Sequence, residues 1–113
     1  MIAKLLGNRS AEQSLLHLFH YGEIHASAIA RDYGVAVTPI RQQLERLEDA
    51  GVLVSKEIGR ARVYSFNPKS PYARLLKDMV RIDYESIPLI QRQKIFAARR
   101  RPRRKGKPVY ART

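Results

Sequence analysis

The chain has no cysteine and no tryptophan, and its ten acidic residues are outnumbered by 22 lysines and arginines. Without cysteine, disulfide bonds, thiolate metal sites and cysteine nucleophiles are all excluded. No apolar run approaches the roughly 18 residues that a membrane-spanning helix needs. The opening segment, MIAKLLGNRS, also lacks the features of a secretory signal. These absences predict a cytoplasmic protein of one domain that neither spans a membrane nor depends on disulfides.

The excess of positive charge is concentrated in residues 99–113, RRRPRRKGKPVYART. This segment holds eight of the 22 basic residues and no acidic residue, whereas residues 1–98 hold 14 basic and ten acidic residues. It has almost no apolar content, so we expect a disordered basic tail that binds a polyanion. Nucleic acid is the natural partner, although RNA, an anionic lipid surface or an acidic protein would need the same composition. The candidate contacts of the tail are Arg99, Arg100, Arg101, Arg103, Arg104, Lys105 and Lys107.

Two helices are predicted ahead of the most informative part of the chain. The first begins at a capping box formed by Ser10 and Gln13, and it ends at Gly22, a residue suited to a left-handed cap. A short apolar segment before it, residues 2–6, is expected to pack nearby. The second helix covers residues 26–33 and stops at a glycine, after which the chain turns and Val35 is expected to tuck beneath the turn.

A third helix follows the turn directly. Thr38 is predicted to cap it, Pro39 to occupy its first position, where the missing N–H costs nothing, and Gly51 to end it. One apolar stripe, spaced by four and three residues, faces the core. It consists of Ile40, Leu44 and Leu47.

A β-hairpin is predicted after the third helix. Residues 52–58 and 62–67 form its strands, and Gly59-Arg60-Ala61 forms its tip. Tyr64 and Phe66 alternate with smaller residues, so they are expected to face inward.

A fourth helix is predicted from Pro71 to about residue 83. Helical spacing resumes after Pro88, which either kinks this helix or separates two. The helix has more apolar surface than one small domain can bury, which predicts packing against the first helix or against a second copy of the chain. The candidate interface residues are Leu75, Leu76, Met79 and Val80.

The outer face of the third helix has the chemistry of base recognition. At about 100° per residue, Thr38, Arg41, Gln42 and Arg46 fall away from the apolar stripe. Arginine pairs with guanine and glutamine with adenine through two hydrogen bonds each, and recognition helices use their N-terminal residues for such contacts. We therefore expect these four to contact double-stranded DNA. The alternative is a solvated helix face, which the acidic residues of its second half favour.

The hairpin places Lys56, Arg60 and Arg62 at or near its tip. A tip arginine can enter a narrow minor groove, or it can contact phosphate and add affinity without sequence information. The alternative is a charged edge hairpin that only resists aggregation. Together the helices and the hairpin predict a mainly α (α+β) fold, a winged helix-turn-helix with a C-terminal helical extension.

Residues 10–85 resemble the winged-helix regulators of the ArsR and MarR superfamily, the ArsR type more closely. The resemblance lies in IARDYGVAVTPIRQQLERLEDAGVL followed by KEIGRARVYSFNP. It implies a homodimeric transcriptional regulator with a recognition helix at about residues 38–50 in the major groove. The wing, residues 56–62, would lie on the DNA backbone, and the protein would associate with the nucleoid. It also divides the chain into a DNA-binding domain (1–70), a helical dimerisation region (71–98) and the tail (99–113).

The chain departs from metal-sensing members of this superfamily. It has no cysteine, and Asp78, Asp83 and Glu85 on the last helix are not accompanied by a histidine there. His17 and His20 lie on one side of the first helix and are expected at a surface or an interface. We therefore predict no metal and no cofactor.

The sequence also gives no basis for an enzyme, because it has no recognisable Ser-His-Asp set and no glycine-rich phosphate loop. Two other functions remain open beside the regulator. The basic tail favours a nonspecific architectural or RNA-binding protein, and the acidic half of the third helix favours a protein-interaction module.

Overall fold

The computed structural model describes residues 2–97, which form six helices and a three-stranded sheet. The elements, in chain order, are α1 (Ile2–Leu6), α2 (Arg9–Tyr21), β1 (Glu23–His25), α3 (Ala26–Tyr33), α4 (Val37–Asp49), β2 (Leu53–Ile58), β3 (Ala61–Phe66), α5 (Pro71–Ser86) and α6 (Leu89–Ala97). Helices α3 and α4 with the β2–β3 hairpin confirm the predicted winged helix-turn-helix, and the class is mainly α with a small sheet. No helix within residues 2–97 has the length and hydropathy needed to cross a membrane.

The cap of helix α2 lies two residues earlier than predicted. Asn8 is its cap, and the Asn8 Oδ1 atom accepts a hydrogen bond of 3.0 Å from the backbone N–H of Ala11. The predicted capping box at Ser10 is therefore wrong, because Ser10 lies inside the first turn, where its carbonyl accepts from the Ser14 hydroxyl at 2.8 Å. The helix ends at Gly22 (φ 83°), as predicted.

The turn between α3 and α4 depends on a left-handed residue. Helix α3 has the predicted bounds, and Gly34 follows it with φ 66° and ψ 37°, a conformation that glycine adopts without steric cost. The backbone N–H of Val35 then bonds the Ala30 carbonyl at 3.0 Å. The Val35 side chain is 42% exposed, so the prediction that it tucks beneath the turn is wrong.

The sheet has the strand order β1-β3-β2, and both pairings are antiparallel. The hairpin was predicted, but β1 was not, because three residues are too few to show an alternating pattern. Strand β1 places Ile24 opposite Tyr64, and both are buried. The tip is the two-residue turn at Gly59 (φ 63°) and Arg60, as predicted, but Ala61, which was predicted to belong to the tip, is the first residue of β3.

The hydrophobic core lies between α2, α3, α4 and the inner face of the sheet. The apolar stripe of α4 packs into this core as predicted. Ile40 and Leu44 are buried, and Leu47 is partly buried. Burying a leucine or isoleucine side chain contributes about 1.5–3 kcal/mol, so this core is the main source of stability. The side chains with the least exposure include Leu15, Leu18, Ile29, Ile40, Leu44, Leu53 and Val80.

Helices α5 and α6 are separate elements. Ser70 caps α5 by accepting a 3.1 Å hydrogen bond from the Ala73 N–H, and Pro71 fills the first helical position. Helix α5 ends at Ser86, and Pro88 lies between the two helices, which answers the question that the sequence left open. Helix α6 is anchored by Phe96, which is 3% exposed.

Candidate nucleic-acid interface

The N-terminus of α4 is exposed and carries no negative charge. Ala36 precedes the helix in an extended conformation, and no side chain caps it among the residues that the structure describes. The prediction that Thr38 is the cap is therefore wrong. Thr38 and Pro39 are the second and third helical residues. The backbone N–H of Thr38 has no acceptor within the helix, and Pro39 has no N–H. The free N–H groups and the helix dipole make this end of α4 suitable for an anion.

The surface of α4 divides into sides with different chemistry. Thr38, Gln42 and Arg46 are spaced by four residues, are exposed and form an outer ridge opposite the buried stripe. Within residues 2–97 none of the three forms a side-chain hydrogen bond or an ion pair, so the ridge is available to a ligand. A second side, about 100° away from the ridge, contains Arg41 and Glu45 and faces the hairpin.

Two of the three predicted wing cations form contacts within the chain. The Nζ atom of Lys56 lies 3.6 Å from Oε1 of Glu23 on β1, and both side chains are largely exposed. Arg62 lies two residues before Tyr64 on β3, so both side chains are on the same face of the strand. There Arg62 donates to the Ser55 Oγ at 2.8 Å and to the Glu57 Oε2 at 3.2 Å. Such exposed pairs contribute about 0–1 kcal/mol each, so their role is geometric more than energetic.

The contacts of Arg62 continue to α4. The Ser55 hydroxyl donates to the Glu48 Oε2 at 2.5 Å, so Arg62, Ser55 and Glu48 form a chain of hydrogen bonds from β3 through β2 to the helix. This chain fixes the angle between the wing and α4. Sequence reasoning missed the connection, although the two-residue spacing of Arg62 and Tyr64 already placed both side chains on the same face of the strand.

An open cleft of about 530 Å³ separates the wing from the helices. It lies between the start of α3, the hairpin-facing side of α4 and the tip of the wing. Three arginines and one carboxylate are its charged side chains. The residues that line it are His25, Ala26, Ser27, Arg41, Glu45, Ile58, Arg60, Ala61, Arg62 and Tyr64.

The pKa of the Tyr64 hydroxyl indicates which charged side chains act at the cleft. Burial raises the pKa of the Tyr64 hydroxyl, and the nearby carboxylates Glu48 and Glu45 raise it further. Arg62 and Arg41 act in the opposite direction and lower the pKa of the same hydroxyl. Charges of both signs therefore act at the base of the cleft, and the carboxylates have the larger effect on Tyr64.

The stripe predicted as a dimer interface is divided in the structure. Val80 is 0% exposed and belongs to the core of the chain, which corrects its predicted place at the interface, and Leu76 packs partly against that core. Leu75 and Met79 face outward and are 61% and 38% exposed. The division arises because apolar residues cover more than one side of α5, and helical spacing alone does not show which side meets the core.

A cluster of histidine and aromatic side chains lies where α2 meets α3, α5 and α6. It consists of His17, His20, Tyr21, Tyr33, Tyr84 and Phe96. His17 is fully buried, and its Nε2 atom lies 2.9 Å from Oδ2 of Asp32, whose side chain is 2% exposed. The expectation of a surface or interface position is therefore wrong for His17. His20 is exposed, stacks on Phe96 at 4.1 Å and bonds the Tyr84 hydroxyl at 2.7 Å.

The predicted contacts of the basic tail lie outside the described residues. Within residues 2–97, no group of three or more histidine, aspartate or glutamate side chains is arranged to hold a metal ion.

Comparison with known proteins finds similarity among solved structures. No protein-family model and no curated protein matches the chain. Among solved structures, the chain is similar to the crystal structure of AntR, an antimony-specific transcriptional repressor, with 22% sequence identity and a TM-score of 0.49. The alignment covers 65% of this chain and 65% of the AntR chain, so it spans a little less than two thirds of the length of that repressor.

Proposed function

We propose that the protein is a DNA-binding transcriptional regulator that acts as a homodimer. The observation that carries this proposal is the outer ridge of α4. It is exposed, has no partner among residues 2–97 and is placed beside a wing with Arg60 at its tip. A helix of about 12 Å in diameter fits the major groove of B-DNA, and the adjacent wing would then meet the backbone or the minor groove.

The outer ridge provides the groups for base recognition. Gln42 lies in the middle of the ridge and can bind the N6 and N7 atoms of adenine, whereas Arg46 can bind O6 and N7 of guanine. Thr38 lies in the uncapped first turn, where its hydroxyl and the free N–H groups can bind a phosphate. Asp49 at the C-terminal end of α4 repels the phosphates of the DNA backbone, so the part of the helix that precedes it is the part that enters the groove.

The exposed apolar face of α5 supports the homodimer. Tyr72, Leu75, Met79 and Ile82 follow one helical stripe, and three of them are more than 60% exposed. A two-fold arrangement through this stripe would present two copies of α4 to successive major grooves, about one DNA turn apart. Such a protein would bind an inverted repeat.

The base-reading role is tested by replacing Gln42 with alanine. Gln42→Ala should reduce discrimination at one base pair of each half-site by about 1–3 kcal/mol and leave the melting temperature unchanged, because the side chain is exposed. Competition binding with single base-pair substitutions measures this. The matched control is Gln93→Ala, an exposed glutamine on α6. Equal discrimination in Gln42→Ala and the unaltered chain would remove Gln42 from the recognition surface.

The dimer is tested by placing a charge in the exposed stripe. Leu75→Glu should shift the sedimentation coefficient of a dimer to that of a monomer, because a carboxylate would be buried without a partner. Arg74→Glu, an exposed change on another side of α5, should leave the dimer intact. A monomer at tens of micromolar for the unaltered chain would contradict the proposed assembly.

A second candidate function is nonspecific binding of DNA or RNA through the basic tail. The eight positive charges of residues 99–113 favour it, since each neutralised phosphate adds affinity without sequence information. The two functions differ in how the binding affinity depends on salt and on the nucleotide sequence. Nonspecific binding gives a steep salt dependence with the same affinity for all sequences, whereas the regulator also shows a preferred site.

A further inference from the structure

We infer that the cleft between α3, α4 and the wing binds one backbone phosphate of DNA, with Arg41 and Arg60 as the cations that hold it. The inference rests on the proposed function for the source of the phosphate. It also assigns Arg41 a different role from the one expected from sequence, since Arg41 would position the backbone and would not read a base.

The position of Arg41 on α4 is the first support. Arg41, Glu45 and Glu48 share the side of the helix that faces the hairpin, and Glu48 bonds Ser55 of the wing there. Gln42 projects about 100° further round, on the outer ridge. Arg41 starts between the helix and the wing. From there its side chain is closer to the DNA backbone at the edge of the groove than to the edges of the bases.

The charge balance of the cleft is the second support. Glu57 and Ser55 already engage Arg62, which is therefore a positioning residue for the wing. Within residues 2–97 neither Arg41 nor Arg60 forms an ion pair or a side-chain hydrogen bond. Two guanidinium groups thus face the cleft without a bonded anion, and they outnumber the one carboxylate of the lining, Glu45. Guanidinium forks match the oxygens of a phosphate.

The start of α3 supplies neutral donors at the same cleft. Ser27 is the second residue of α3, and the first turn of this helix contains no acidic residue and no side-chain cap at its N-cap position. The Ser27 hydroxyl and the first backbone N–H groups can donate to an anion, and the helix dipole favours negative charge at this end. Three elements therefore supply donors that line the same cleft.

The salt dependence of DNA binding tests this assignment with Arg41→Gln. Each phosphate contact on B-DNA contributes a slope of about 0.9 to the dependence of log affinity on log salt. Arg41→Gln should lower the magnitude of the slope by about that amount and weaken binding about tenfold, by the same factor on a preferred and on an unrelated duplex. Arg41→Lys should restore the slope, and Arg74→Gln on α5 is the matched control.

An unchanged slope, or a loss of affinity confined to the preferred duplex, would overturn the assignment and return Arg41 to base recognition. If the unaltered chain shows no preferred sequence, the proposed function fails. The salt-dependence slopes of the unaltered chain and of Arg41→Gln on an unrelated duplex then still decide whether the cleft binds a phosphate.

Two further measurements identify the source of the phosphate. Replacing single phosphates of the duplex with neutral methylphosphonates should reveal one position whose effect disappears in Arg41→Gln. Inorganic phosphate titrated without DNA should shift the NMR signals of Ser27 and Arg41 only above millimolar concentration. Tight saturation by inorganic phosphate, or no methylphosphonate position coupled to Arg41, would overturn the DNA backbone as the ligand.

Discussion

The two polar networks that hold the helix-turn-helix and the wing in place differ mainly in their exposure to water. His17 and Asp32, 2.9 Å apart, join α2 to α3 with side chains that are 0% and 2% exposed. Arg62 and Glu57, 3.2 Å apart, belong to the network that joins the wing to α4, and their side chains are 47% and 71% exposed. One network therefore has its carboxylate pair in the protein interior, and the other has it at the surface.

The difference predicts a division of roles. A buried ionic or hydrogen-bonded pair leaves a costly unsatisfied group when one partner is removed, whereas water replaces a lost partner at the surface. The helix-turn-helix should therefore depend on the buried pair for stability. The wing should depend on the exposed network for its angle to α4, and hence for binding.

The largest effect is expected for Asp32→Ala. It removes the acceptor next to the buried His17 imidazole and should lower the free energy of unfolding by about 3–5 kcal/mol. Urea denaturation followed by circular dichroism measures this. Asp78→Ala is the matched control, because Asp78 pairs with Arg81 at 2.9 Å on the surface of α5, and it should cost at most about 1 kcal/mol. Equal losses in the two variants would contradict the division of roles.

A smaller effect on stability is expected for Arg62→Ala. The free energy of unfolding should fall by less than about 1 kcal/mol, because the Arg62–Glu57 pair is exposed. DNA affinity should fall by up to about tenfold, since the wing loses its connection through Ser55 to α4. Fluorescence anisotropy and thermal melting on the same sample separate the two quantities. A stability loss as large as that of Asp32→Ala, with affinity unchanged, would reverse the comparison.

The smallest effect is expected for Glu12→Gln and depends on pH. Burial raises the pKa of Glu12 above its usual value of 4.5, and a hydrogen bond with Asp83 and its negative charge raise it further. A carboxyl group with a raised pKa binds its proton more tightly in the folded state. The free energy of unfolding therefore falls as pH rises from 4.5 through the folded pKa, and the full penalty remains above it.

Glu12→Gln removes this titration. The variant should be more stable than the unaltered chain by about 0.5 kcal/mol at neutral pH, and the difference should shrink as pH falls towards 4.5. Urea denaturation across this pH range measures it, with the exposed Glu85→Gln as a control that should show no such trend. A difference that grows on acidification would contradict the assigned direction of the shift.

Much of the fold was predictable because local chemistry marks its boundaries. Gly34 and Gly51 adopt positive φ and end α3 and α4, and Pro71 and Ser70 start α5 at the predicted place. The hairpin was predictable from its alternation and its glycine. The caps of α2 and α4 were each predicted two residues late, at Ser10 and Thr38. Asn8 and Ala36 are the caps, and the chain is already helical at the predicted positions.

What the sequence did not show are contacts between distant elements. His17 and Asp32 are 15 residues apart on different helices, so no local pattern relates them. Strand β1 is too short for periodicity, and Val80 differs from Leu75 only in the side of α5 on which it lies. For the candidate interface, the outer ridge of α4 was predictable from helical geometry. The cleft was not, because it joins α3, α4 and the wing.

The most direct test of the regulator is a DNA selection at about 150 mM salt with the full chain and with a chain that ends at residue 98. The regulator hypothesis predicts that both enrich the same inverted repeat, because α4 reads the sequence and the basic tail adds only affinity. If only the full chain binds, and it enriches no motif, then the tail provides the binding and the central claim is wrong.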